Sequence, residues 1–137
     1  MAIQLSTNVR NARLDAIEST IGTGAILRIY DLSGAAPANC AASITGTVLV
    51  EMTLPSDWMA AASSGSKAKS GTWEDTSANA DGVADFFRLF ASDGTTCHLQ
   101  GTVTTTGGGG DMTLVNTSIN TTQPVTISGF TLTDANA

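Results

Sequence analysis

Leu14, Ile17 and Ile21 recur at three- and four-residue spacing, the period of one helical face, while Arg10, Arg13, Asp15 and Glu18 fill the other faces. Ser6 or Thr7 is suited to cap the first turn, and Gly22 and Gly24 stop the run, so the spacing predicts an amphipathic helix beginning near Asn8. From Ala25 the period falls to two. Leu27 and Ile29 alternate with Ile26, Arg28 and Tyr30 as far as a Ser33-Gly34 turn. Thr47–Leu54 sets Val48, Val50, Met52 and Leu54 on one face and Leu49, Glu51 and Thr53 on the other. Pro55 ends this strand, Ser56 can cap a short helical turn through Trp58–Ala62, and Ser63–Ser70 reads as a mobile Ser- and Gly-rich loop.

Thr72-Trp73 can start a further strand. Val83–Ala91 follows, with Phe87, Leu89 and Ala91 opposing Phe86, Arg88 and Phe90, and aromatic residues on both faces mark a central strand. Asp93-Gly94 suits a two-residue turn, whose central positions favour positive φ, and predicts a hairpin over residues 84–104. Its second arm sets Cys97, Leu99, Gly101 and Val103 on one face and His98, Gln100, Thr102 and Thr104 on the other. Thr106–Gly110 turns the chain, and Met112–Val115 and Val125–Leu132 read as strands, the last with a bulge at Ser128-Gly129. The fold expected is mainly β: a helical arm, residues 1–24, ahead of an antiparallel β-sandwich or jelly-roll-like domain, residues 25–137, of about seven short strands.

A chain of 137 residues suits one domain. A net charge of −6 leaves no broad basic surface to displace counterions from a phosphate backbone, so nucleic acid is not an expected partner. The apolar runs are far shorter than the roughly 20 residues needed to cross a bilayer. Arg10 and Arg13 sit among Asn11, Asp15 and Glu18 without the basic, apolar, small-residue order of a secretory signal, so synthesis in the cytoplasm is expected.

Adjacent Cys97 and His98 invite a nucleophile-and-base reading, but neighbours in a strand face opposite sides. One His and two separated Cys fall short of a four-ligand zinc site. Gly107–Gly110 lacks the Lys-Ser or Lys-Thr and the helix of a phosphate loop. Asp75, Asp81, Asp85 and Asp93 do not have the spacing of a calcium loop, and dispersed acids with only Trp58 and Trp73 do not make a glycosidase cleft. Neither catalysis nor a cofactor is expected. Cys40 and Cys97 stay open between thiols, which cytoplasmic synthesis favours, and a disulfide formed once the protein leaves the cell. Trp58 and Met59, after Pro55, are either a plug over one end of the β domain or an exposed anchor for a partner.

Several blocks carry a resemblance: Ile3–Glu18, Pro37–Ala42, Leu54–Ala62, Ser70–Trp73, Thr96–His98, Thr106–Met112 and Gly129–Asp134. Together they resemble a family of small tailed-bacteriophage proteins over nearly the full length. The resemblance implies a virion structural protein and brings no catalytic residue with it. The leading expectation is an accessory capsid protein that decorates or cements the shell by binding the major capsid protein or other virion proteins. A tail, neck or fibre-base component and a carbohydrate-binding adsorption module are the alternatives. A homo-oligomer is expected, a trimer if the protein sits at local three-fold positions of a shell. The candidate contact residues are Val9, Arg10, Arg13, Leu14, Ile17 and Ile21 on a helix free to swing about Gly22 and Gly24, together with Trp58 and Met59.

Overall fold

The computed structural model describes residues 1–136. One helix, α1 (Thr7–Ile21), precedes ten strands: β1 (Ile26–Leu32), β2 (Gly46–Thr53), β3 (Ser66–Ala68), β4 (Glu74–Asp75), β5 (Gly82–Val83), β6 (Phe86–Phe90), β7 (Cys97–Thr105), β8 (Met112–Leu114), β9 (Ser118–Ile119) and β10 (Val125–Thr133). Ser6 is the N-cap, its Oγ accepting from the Val9 N–H at 3.3 Å, and Gly22 ends the helix with φ 84°. The protein is thus mainly β with one N-terminal helix.

Eight strands form one mixed sheet in the order β2-β1-β6-β7-β8-β10-β3, with β4 on β10, and β5 pairs with β9 separately. The sheet bends until its ends meet: the Glu51 N–H on β2 donates to Asp75 Oδ2 at 3.2 Å, and the Asn79 N–H donates to the Leu49 carbonyl at 2.7 Å. Every pair in the main sheet is antiparallel except β7 with β8, which run parallel. An ordinary parallel crossover needs a dozen residues or more. Here the glycine run doubles the chain back between Thr105 and Met112, and a Cβ on Gly108 or Gly110 would come 2.8 Å from the Thr104 side chain.

The interior holds a chain of aromatic rings. Trp58 lies 5.9 Å from Trp73, Trp73 5.5 Å from Phe130, and Phe130 5.8 Å from Phe87, centroid to centroid. Each indole N–H has an acceptor, Gly22 O for Trp58 and Ser70 O for Trp73, as burial of a polar atom demands.

Local alternation breaks where the ladder bulges. The register steps from Ile29↔Val50 to Tyr30↔Val48, so Leu49 is the extra residue and is fully buried, not on the polar face its sequence position suggested. Another shift lies between Leu89↔Leu99 and Phe90↔Cys97, leaving His98 unpaired. A third, opposite Ser128, falls where the sequence predicted a bulge. The β6–β7 hairpin forms as expected, but over residues 91–96 instead of a two-residue turn. Asp93 organises that loop, accepting from the Thr95 and Thr96 N–H groups at 2.8 Å and from the Thr96 hydroxyl, and these bonds hold its carboxyl down to about 2.

Two further expectations are corrected. Trp58–Ala62 is extended: Ala60 N–H donates to Ala68 O, Ser70 N–H to Trp58 O, and Met59 bridges to Lys69. Its partner is the segment expected to be a mobile loop, which turns tightly at Ser63–Ser66 and supplies β3. Pairing satisfies both backbones while Trp58 and Met59 enter the core, which neither a one-turn helix nor a free loop could do.

Phe87 sits on the central strand and edge-on to Phe130. Phe87→Ala is expected to lower the unfolding free energy by about 3–5 kcal/mol, measured by urea denaturation with tryptophan fluorescence.

Candidate functional site

The polar face of α1 docks it. Lys67 on β3 is only 3% exposed, and its Nζ donates to Asp15 Oδ1 at 2.7 Å and Ala60 O at 2.9 Å and pairs with Glu18 Oε2 at 2.9 Å. The same carboxylates take backbone donors from the strand they face, Ala62 N–H to Asp15 at 2.9 Å and Met59 N–H to Glu18 at 3.0 Å. Asn11 Oδ1 accepts from the Gly65 N–H, Arg10 Nη1 donates to the Asp134 carbonyl, and Arg13 pairs with the Asp134 carboxylate at 3.1 Å. Burial alone would lower the Lys67 ammonium pKa, but the bonds to Asp15 and Glu18 outweigh it and hold the pKa above its ordinary value. The Lys67 hydrogen bond, with the Ala62 N–H, in turn holds Asp15 below the usual carboxylate range.

These contacts correct the free-swinging helix. Leu14 and Ile21 are buried, Ile17 packs on the core from a half-buried position, and the Trp58 indole bonds the carbonyl of Gly22, the very residue expected to act as a swivel. Of the residues singled out for contact with a partner, Arg10, Leu14 and Ile21 therefore turn to their own chain. Trp58 and Met59, at 0% and 1% exposure, are a core plug and not an exposed anchor.

Val9 remains at the surface at 46% exposure, and Arg13 is solvent-facing despite its ion pair. Met1 and Ile3 join them, both strongly exposed ahead of the Ser6 cap. Helical periodicity could not single these two out because they precede the helix. An open groove of about 730 Å³ runs beside this surface between Arg13, Ala16 and Ile17 and the C-terminal stretch 133–136. His98 lines its continuation with Thr20 and Ile21, and no carboxylate shares that stretch. Among the described residues no group of three or more His, Cys, Asp or Glu is gathered to hold a metal ion, and no helix is long and apolar enough to cross a membrane.

A second polar device holds the outer face of the sheet. Cys40 and Cys97 are joined as a disulfide with their Cα atoms 5.4 Å apart. Beside it the buried Arg88 donates through Nη2 to Asn39 O at 3.0 Å and Ala42 O at 2.8 Å, while Gln100 Nε2 donates to Pro37 O at 2.8 Å. Sequence reasoning missed Lys67 and Arg88. The signal available for Lys67 was Asp15 and Glu18 one helical turn apart, facing the same way.

No family model matches the chain, and neither does a curated protein or a solved structure.

Lys67→Ala leaves two carboxylates without their cation. Because Asp15 is half-exposed, the loss expected is at the low end for a broken buried pair, about 3 kcal/mol by urea denaturation. Acid acts on the same contact. With its folded pKa below 3.8, Asp15 contributes fully above that value and its contribution is lost as pH falls through the folded pKa, so amide exchange in α1 should quicken on that descent while β6 stays protected.

Proposed function

We propose that the protein is a bacteriophage virion structural protein, a capsid decoration or cement protein that grips the shell with its N-terminal segment and the outward side of α1. The observation that carries this reading is the grouping of exposed apolar side chains. Of the five large ones among the described residues, Met1, Ile3 and Val9 fall within nine residues of one another beside the α1 groove, while Val83 and Val115 lie elsewhere. Isolated exposed apolar residues are ordinary, but a group at one end of a well-packed domain is the usual mark of a contact surface.

The major capsid protein, or another virion protein, is the partner in this reading, and the location is the virion after synthesis in the host cytoplasm. The β domain serves as a sandwich- or jelly-roll-like body, closed into a homo-oligomer, a trimer at shell three-fold positions. Neither catalysis nor nucleic-acid binding belongs to it. Support for the latter comes from the cations: Arg10, Arg13, Arg28, Lys67, Lys69 and Arg88, the whole basic complement, all bond within the chain.

The test adds purified protein to particles assembled without it and counts bound copies by quantitative mass spectrometry. Hundreds of copies per particle are expected. Tens or fewer would move the protein to the tail, neck or fibre base, and binding to purified host glycan instead of particles would make it an adsorption module. Ile3→Asp with Val9→Asp should leave the melting temperature unchanged and abolish particle binding. Undiminished binding by that variant would sink the proposed contact surface.

A further inference from the structure

The segment between β1 and β2, residues 33–45, is a strap laid over the outer face of the sheet. It supplies no residue to the main hydrophobic cluster, which passes from Ile29 directly to Leu49. Beneath it the outward residues of β1 and β6, Tyr30, Phe86, Arg88 and Phe90, are buried yet only Arg88 bonds the strap, through the carbonyls of Asn39 and Ala42. Cys40 sits between those two carbonyls, in a turn that Asn39 Oδ1 closes by accepting from the Ala41 and Ala42 N–H groups. Arg88 and Gln100 therefore hold Cys40 over Cys97 without help from the bridge. Both cysteines are half-buried, at the edge of the strap and outside the core.

We propose that Cys40 and Cys97 form a redox latch: with both thiols reduced the strap opens from an already complete β domain, and a small-molecule disulfide of the glutathione type closes it after folding. The chemistry is two thiol–disulfide exchanges. One cysteine thiolate attacks the small disulfide and releases one small thiol, and the other cysteine thiolate then attacks the mixed disulfide and releases the second. Two cysteine thiols are oxidised to one bridge, the small disulfide is reduced to two thiols, and the two protons lost by the cysteines end on them. A reducing cytoplasm keeps the latch open and an oxidising exterior shuts it.

Hydrogen exchange read by mass spectrometry tests this on the full chain, oxidised and after reduction with a phosphine. Reduction should speed exchange in the strap by about tenfold while β1, β6 and β7 keep their protection, since local opening does not require global unfolding. The double variant Cys40→Ser with Cys97→Ser should reproduce the reduced pattern without reductant. Oxidised glutathione added to the folded, reduced protein should remove two hydrogens in mass and restore slow exchange. Loss of protection throughout the sheet on reduction would make the bridge a staple of the whole fold and overturn the latch. So would a strap that exchanges equally slowly in both states, or a folded protein that stops at the mixed disulfide.

Discussion

Every residue of β6, from Phe86 to Phe90, is buried, and a strand buried on both faces needs cover on both sides of its sheet. The inner side is covered by the sheet's own curvature, which brings Phe130 on β10 and the two tryptophans around Phe87. The outer side has no second sheet against it. A connecting segment takes that place, and because a connection has few apolar side chains it is fastened by polar and covalent means: Arg88, Gln100 and the Cys40–Cys97 bridge. The buried guanidinium is tolerated because backbone carbonyls and Gln100 Oε1 accept its N–H groups.

The helix obeys the same logic from the other end of the molecule. Its apolar stripe is short, so Leu14 and Ile21 alone would hold it weakly, and a buried lysine shared by two carboxylates and a carbonyl completes the joint. Such a joint fixes geometry more than it adds stability, because desolvating the ammonium offsets much of the attraction. Its consequence for function is rigidity: α1 presents Val9 and Arg13 at a fixed angle to the β domain, with the extended residues before Ser6 projecting beside them. A surface held that way can meet a partner with little ordering cost.

Much of the local architecture was legible in the sequence. The Ser6 cap and Gly22 stop fixed the helix to within a residue, the two-residue period located β1, β2, β6 and β7, and the Ser128-Gly129 pair announced its bulge, all because these features depend on neighbours along the chain. The four-glycine run was legible as a turn but not as the device that makes β8 parallel to β7, since direction depends on where the next strand finds its partner. Bulges at Leu49 and His98 were hidden for the same reason: a bulge belongs to a pair of strands, and one strand's sequence cannot reveal the other's register.

The sequence by itself determined element type, a single helix ahead of β structure, and an acidic chain with few cations. Only the tertiary structure decided which way each ambiguous residue turned. Trp58 and Met59 were equally good as plug or anchor, and the strand pairing of 58–60 with 68–70 sent them inward. Lys67, in a stretch that reads as solvated loop, became buried because α1 lay across it with two carboxylates in reach. Cys40 and Cys97 met because Arg88 drew a loop over the sheet. These are contacts between segments remote along the chain, and their energies appear only once the backbone has brought the partners together.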